Sequence, residues 1–224
     1  MEKWKGVVIA LIVIAIGGYG FLASRPPAPV ESAERPSAAA QDLQKMVGQP
    51  APEFNIPSAL WTVQSSNKQA VTVASLNGHV AIVEFWRAMC PHCKDAAPFI
   101  ESLYKKYAKQ GLEVVGIQSP SDNPDPHFAE NDWGQVRGIA NQWGITYPIG
   151  FDAHASLFKT QYHGTLYPTV LVLDKKGIVQ YAETGYDDDK AKKLDQVVQQ
   201  MLKTGKPEAP AAPAGHSKND GHGH

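Results

Sequence analysis

The sequence predicts an α/β domain built on a central sheet with mixed strand directions. Val80–Trp86 and Leu112–Gln118 are continuous apolar runs broken by few polar residues, as in buried central strands. Further along, strands at 169–174 and 178–184 flank a Lys-Lys-Gly turn, which indicates an antiparallel hairpin. Helical patterns alternate with the first strands, and this order is typical of an α/β sheet.

The other elements complete the order strand–helix–strand–helix–strand–strand–helix. Pro98 is expected to kink the helix that follows the first central strand. Three prolines make 119–132 a loop. In chain order, we predict a short strand at 71–74, helices at 94–110, 133–143 and 155–162, and a terminal amphipathic helix at 190–204.

The N-terminus predicts a membrane anchor. Residues 1–5 carry two lysines, and residues 6–24 are uncharged and apolar, long enough as a helix to span about 28 Å of bilayer core. A cleaved signal peptide is the alternative, although its apolar core is usually shorter. The lysines favour a cytoplasmic N-terminus. We therefore expect a single-pass protein of the cell inner membrane, with the rest of the chain in the periplasm or another extracytoplasmic space.

Composition divides the remainder into three parts. Residues 25–46 are rich in Pro and Ala and predict a flexible linker, and residues 47–204 form the folded domain. Residues 205–224, rich in Pro, Gly and His, are expected to be disordered. The net charge of −1 gives no argument for nucleic acid binding.

The segment Cys90-Pro91-His92-Cys93 contains the only two cysteines of the 224 residues. Thiols at this spacing can close a disulfide at the start of a helix, where the helix dipole favours a thiolate. The same spacing occurs in half of a zinc site, and it could also belong to two inert buried cysteines. Because no second such pair and no His-x-x-x-His motif is present, we interpret the motif as a redox-active disulfide without another cofactor.

The positions within the motif suggest separate roles. Cys90, at the helix N-terminus, is the candidate nucleophile, and Cys93, one turn later, is the resolving thiol. His92 is a candidate thiolate stabiliser, or else an exposed residue without a role. Pro91 suits the first helical turn and would make the motif rigid.

Glu84 interrupts the first apolar strand. A buried carboxylate without a partner has a raised pKa, which suits proton exchange with Cys93. A glutamate at a strand edge, reaching solvent or paired with a lysine, is the alternative.

These residues resemble the thioredoxin superfamily, in particular its membrane-anchored, extracytoplasmic TlpA/ResA-like thiol–disulfide oxidoreductases. The match is carried by residues 83–93, by Pro98, and by Tyr167-Pro168 before an apolar strand. Residues 48–54 resemble the opening of such domains, and 119–144 their characteristic insertion. The resemblance implies a thioredoxin-like fold with a TlpA-type insertion.

The resemblance also implies roles for individual residues. Pro168 falls where the family has its cis-proline, which would leave the backbone of Tyr167 free to pair with an extended substrate. A proline that begins an edge strand is the alternative. Glu84 takes the place of the buried acid of thioredoxin. Met89 stands where the family usually has Trp, and Ala96 where ResA-like proteins have an acid.

The resemblance implies a protein-disulfide oxidoreductase whose direction is open. The scaffold favours a reductase of protein disulfides, of the type used in cytochrome c or copper-protein maturation, that exchanges electrons with a membrane redox partner. The Pro-His dipeptide instead resembles DsbA-like oxidants of exported thiols. A copper metallochaperone is the alternative of another class. A peroxidase is disfavoured because Arg87 stands where its Thr or Ser would be.

Overall fold

The structure, a computed structural model, describes residues 38–62, 70–121 and 132–205. Five strands form one sheet in the order β3-β2-β1-β4-β5. The strand β1 pairs in parallel with β2 and antiparallel with β4, so it lies at the centre of a mixed sheet. The strands are β1 (Val80–Trp86), β2 (Leu112–Gln118), β3 (Ile149–Phe151), β4 (Thr169–Leu173) and β5 (Val179–Thr184).

Helices cover both faces of this sheet. Single 3₁₀ turns lie at Ser58–Leu60, Ala74–Leu76 and Ala108–Gln110, and a π-helical turn at Leu157–Gln161. Within the described ranges, the α-helices are α1 (Ala38–Gln44), α2 (Pro91–Tyr107), α3 (Trp133–Gln142) and α4 (Asp188–Thr204).

Every residue of β1 is buried, and alternate residues face opposite layers of the core. The side chains of Val80, Ile82 and Trp86 belong to the layer that contains α2, α3 and α4. Those of Val83 and Phe85 belong to the layer packed by α1 and the π-helical turn. A strand buried on both faces explains the near-continuous apolar sequence from which it was predicted.

The predicted mixed α/β sheet and its terminal hairpin are confirmed, and β1 and β2 have the predicted bounds. The strand predicted at 71–74 is wrong. Its backbone turns there into the 3₁₀ turn Ala74–Leu76, and the N–H of Val73 donates to the Glu53 carboxylate over 2.7 Å instead of to a strand.

Helix α1 lies within the region predicted as a linker. Its side chain Leu43 is 1 % exposed, and Met46 is also buried in the core. The packed part of the chain therefore begins before residue 47. The short strand β3, which completes the sheet next to β2, was also not predicted.

The predicted anchor at 6–24, most of the linker and the tail at 206–224 lie outside the described residues. Among the residues that are described, no helix is both long and apolar enough to cross a membrane.

Candidate active site

Cys90 is the N-cap of α2. The chain leaves β1 at Trp86, and four residues later the Cys90 sulfur accepts a hydrogen bond from the backbone N–H of Cys93 over 3.3 Å. Pro91 occupies the first helical turn, where no N–H donor is needed. The end of a central strand thus delivers the sulfur of Cys90 to the positive end of a helix dipole, which stabilises a thiolate.

The two cysteines are both thiols in this structure, with unequal environments. Cys90 is 9 % exposed and Cys93 only 1 %. The hydrogen bond from the Cys93 thiol lowers the pKa of Cys90 to about 6, helped by the Cys93 N–H and the charges of Arg87 and His92, although burial opposes it. Burial raises the pKa of Cys93, as do its bond to Cys90 and the Cys90 charge. Near neutral pH the pair therefore holds one thiolate, on the more accessible sulfur.

Glu84 lies inside the sheet and not at its edge. Its side chain is 1 % exposed, on the middle of β1 between β2 and β4. Burial raises the pKa of Glu84 to about 7, a hydrogen bond from Tyr147 lowers it, and the negative charge of Cys90 raises it. The charge of Glu84 in turn raises the pKa of Cys93. The carboxyl group thus titrates near neutral pH and interacts electrostatically with the resolving thiol, which are properties expected of the predicted proton acceptor.

His92 and Pro91 lie on the exposed start of α2. The positive charge of His92 is the smallest of the named influences that lower the pKa of Cys90, and that of Arg87 is larger. Arg87, which the sequence offered only as an argument against a peroxidase, therefore contributes more than His92 to the stability of the thiolate.

The peptide bond between Tyr167 and Pro168 is cis. The Tyr167 carbonyl faces the site, 3.8 Å from the Cys90 sulfur, and it accepts the thiol proton when Cys90 is protonated. The Tyr167 ring stacks on Phe158, with ring centroids 4.4 Å apart. The chain before β4 is thereby held against the start of α2.

An open groove of about 380 Å³ runs beside Cys90. Among the described residues, Met89 and Leu166 are two of the three exposed large apolar side chains, and they are direct neighbours in sequence of Cys90 and Tyr167. Apolar surface concentrated around a reactive sulfur suits contact with another protein. The groove is lined by Arg87, Cys90, Pro91, Ser121, Phe158, Lys159, Gly164, Thr165, Leu166 and Tyr167.

The structure thus brings Cys90, Cys93, Glu84 and the Tyr167-Pro168 segment to one end of the sheet. The sequence did not indicate Tyr147, whose hydroxyl donates to the Glu84 carboxylate over 2.8 Å. Tyr147 is 63 residues from Glu84 in sequence, and no local pattern marks their contact. Within the described ranges, no group of three or more His, Cys, Asp or Glu side chains could hold a metal ion.

The thiolate of Cys90 gives the first testable prediction. In the reduced protein, we expect the ultraviolet absorbance of one thiolate to appear with a midpoint near pH 6. The variant Cys90→Ser should lose this transition. Cys93→Ala should move its midpoint to higher pH, because the largest stabilising contact of the thiolate is then absent. A midpoint near pH 8.5, the value of free cysteine, would contradict this description of the site.

Comparison with known proteins shows which family matches this chain. The family model described as Redoxin matches residues 46–198, which is more than half of the chain. The matched region contains the five strands, the cysteine pair and the Tyr167-Pro168 segment.

Three relatives show the extent of the similarity. Protein DipZ of Mycobacterium bovis is 29% identical over 147 residues, which cover 66% of this chain but only 20% of DipZ. Thioredoxin-like protein YneN of Bacillus subtilis is 26% identical over 83% of this chain and 91% of its own length. Thiol-disulfide oxidoreductase ResA of Bacillus thuringiensis is 27% identical over 62% of this chain and 70% of its own. The chain therefore spans only a fifth of DipZ but most of YneN.

A solved structure is similar to this chain in fold and sequence. A thiol:disulfide interchange protein of the thioredoxin family from Chlorobium tepidum superposes with a TM-score of 0.52 at 26% identity, over 68% of this chain and 95% of its own. The fold described above is therefore thioredoxin-like.

Proposed function

We propose that this chain, which belongs to the Redoxin family, reduces disulfide bonds of extracytoplasmic proteins through Cys90 and Cys93. The chain is a thioredoxin-like thiol–disulfide oxidoreductase, similar to ResA and to the interchange protein of Chlorobium tepidum. The observation that carries the proposed direction is the pKa of Cys90, lowered to about 6.

The reaction needs only groups of this chain and a substrate disulfide. The Cys90 thiolate attacks one substrate sulfur, forming a mixed disulfide and releasing the other substrate sulfur as a thiolate that takes a proton. Glu84 accepts the proton of Cys93, and the Cys93 thiolate then attacks the Cys90 sulfur. The second substrate thiol leaves, the substrate is reduced by two electrons, and Cys90 and Cys93 are oxidised to a disulfide.

The extent to which the thiolate is stabilised supports the reductase direction. A lower pKa of the attacking thiol stabilises the reduced pair and makes its disulfide more oxidising. The strong oxidant DsbA has a nucleophile pKa of about 3.5, and the reductant thioredoxin one of about 7. A pKa of about 6 for Cys90 is nearer to that of the reductant.

The oxidant is the second candidate function, favoured by the Pro91-His92 dipeptide. His92 does lower the pKa of Cys90, but its influence is the smallest named, and the main contacts come from Cys93. We therefore favour the reductase.

The proposed substrates are cysteine pairs of exported proteins, such as those that await haem or copper in cytochrome c and copper-protein maturation. The open groove beside Cys90 and the exposed Met89 and Leu166 support a protein substrate over a small thiol. The family resemblance of the scaffold supports the maturation type of substrate.

We also propose that residues 6–24 anchor the chain in the inner membrane with the active site on the extracytoplasmic side. The uncharged apolar run and the lysines before it support this location. Each catalytic cycle leaves an oxidised cysteine pair that needs two electrons to be restored, and we propose that a membrane redox partner supplies them.

Electron flow from the protein to a substrate tests the function. Full-length protein in detergent, reduced and freed of reductant, is mixed with an excess of insulin. We expect one insulin disulfide to be lost, with two new insulin thiols formed, for each cysteine pair oxidised. Reduced protein that leaves insulin intact, while the oxidised protein rapidly converts a peptide dithiol to its disulfide, would overturn the proposed direction.

A further inference from the structure

The buried carboxylate of Glu84 has one hydrogen-bond donor within the described part of the chain. The hydroxyl of Tyr147 lies 2.8 Å from its Oε2 atom. The two side chains are 1 % and 2 % exposed, so the pair is almost fully shielded from bulk solvent. A buried carboxylate that loses a hydrogen bond bears most of the desolvation cost of its charge alone.

A glycine on the neighbouring strand makes room for the Tyr147 ring. Gly116 on β2 is the register partner of Glu84 on β1. A Cβ atom at Gly116 would lie 3.0 Å from Cε2 of Tyr147 and 3.2 Å from Nε1 of Trp86. Because Gly116 has no side chain, the Tyr147 ring can occupy the space beside β2 and reach Glu84.

The backbone next to Tyr147 is tied to the helix that carries the cysteines. Thr146 donates to the Glu101 carboxylate twice, from its backbone N–H over 2.8 Å and from its hydroxyl over 2.5 Å. Glu101 lies on α2, two turns after Cys93. These hydrogen bonds hold the backbone at Thr146 against α2, which also carries the cysteine pair. The Tyr147 hydroxyl is therefore positioned relative to both β1 and the cysteines.

We propose that Tyr147 is a positioning residue whose hydroxyl holds the Glu84 carboxylate as the proton acceptor for Cys93. This inference rests on the proposed function, since Glu84 acts when Cys93 must lose its proton to resolve the mixed disulfide. In that step the Cys93 S–H bond breaks, the proton moves to Glu84, and the sulfur attacks Cys90. Tyr147 keeps its own proton throughout, because burial raises its pKa well above the usual range.

The variant Tyr147→Phe removes only the hydroxyl and tests this role. Hydrogen bonds to the charged form lower a carboxyl pKa, so its loss should raise the Glu84 titration by about one pH unit. The titration is followed by the infrared carbonyl stretch of the protonated carboxyl group in the reduced full-length protein, assigned by its absence in Glu84→Gln.

The same shift should appear in the reaction. The rate at which the mixed disulfide with a substrate peptide is resolved should rise with pH, with its midpoint about one unit higher in Tyr147→Phe. At pH values well below both midpoints, a midpoint one unit higher makes resolution about tenfold slower in the variant. In Glu84→Gln the midpoint should be absent, and adding Tyr147→Phe to it should change nothing further.

Tyr104→Phe is the matched control. The Tyr104 ring packs edge-on against that of Tyr147, with centroids 6.1 Å apart, but its hydroxyl does not bond to Glu84. Its variant should leave both midpoints unchanged. Circular dichroism of each variant verifies the fold.

The possible failures are distinguishable. Suppose that the wild-type protein resolves mixed disulfides. If Tyr147→Phe then leaves both midpoints unchanged, or lowers the rate equally at all pH values, the role of Tyr147 alone is overturned. A wild-type protein that reduces no disulfide overturns the proposed function, and the proton-transfer role of Tyr147 with it.

Discussion

Replacement of Cys90 by serine is expected to abolish disulfide reduction, with a loss of roughly a thousandfold or more in rate. The hydroxyl of serine does not ionise near neutral pH, whereas the pKa of the Cys90 thiol is lowered to about 6. The substitution changes one atom at the N-cap of α2, and serine is itself a good N-cap residue. The loss should therefore come without a loss of folding, as thermal unfolding would verify.

Cys93→Ser is the matched variant. It retains the attacking thiolate but lacks the thiol that resolves the mixed disulfide, so covalent complexes with substrate should accumulate. They would appear as bands on non-reducing gels that disappear on adding reductant. If Cys90→Ser stayed active while Cys93→Ser did not, the roles of the two cysteines would be reversed.

Gly164→Ala is expected to lower the free energy of unfolding by about 3 kcal/mol, which is at the upper end of the cost of overpacking a core. A Cβ atom at Gly164 would lie 1.9 Å from Cε2 of Phe158, whose ring is fully buried. Neither can move freely, because the Gly164 N–H donates to the Phe158 carbonyl over 2.8 Å. The ring is also packed between Phe85 and Tyr167, with centroids 5.0 Å and 4.4 Å away.

The damage should extend to the active site. A displaced Phe158 ring pushes on Tyr167, whose carbonyl contacts the Cys90 sulfur. Denaturant unfolding of the variant should show the lowered stability, and its reduction rate should fall as well.

Gly138→Ala provides the control for Gly164→Ala. Gly138 lies within α3, and a Cβ atom there would meet nothing within 4 Å. Alanine in a helix interior is favoured over glycine by roughly 0.5–1 kcal/mol, so this variant should be as stable as wild type or more so. Equal unfolding midpoints for Gly164→Ala and wild type would contradict the described packing of Phe158.

The central strands could be predicted because their sequence reports their burial directly. Val80–Trp86 is buried at every position, and a continuous apolar run needs no knowledge of its neighbours. The strand β3 has only three residues, and one of them is Gly150, against which the Trp61 ring packs. Its pairing depends on β2 and on a tryptophan far away in sequence, so no local periodicity indicated it.

The cysteine pair was recognisable for a similar reason. Its spacing is local, and its place between an apolar strand and a helix indicated the helix N-terminus. The geometry that decides its chemistry is not local. The donor to Glu84 comes from Tyr147, and the space for that ring comes from a glycine on the next strand. These contacts exist only once the sheet has formed, and they could not be derived from sequence.

The reduction potential of the Cys90–Cys93 pair distinguishes a reductase from an oxidant. It is measured by equilibrating the full-length protein in detergent with glutathione or dithiothreitol buffers of known ratio and quantifying the thiols. The reductase proposed here requires a value near or below about −250 mV, in the range of thioredoxin. A value near about −120 mV, that of DsbA, would mean that the protein donates disulfides to exported thiols and would contradict the proposed direction.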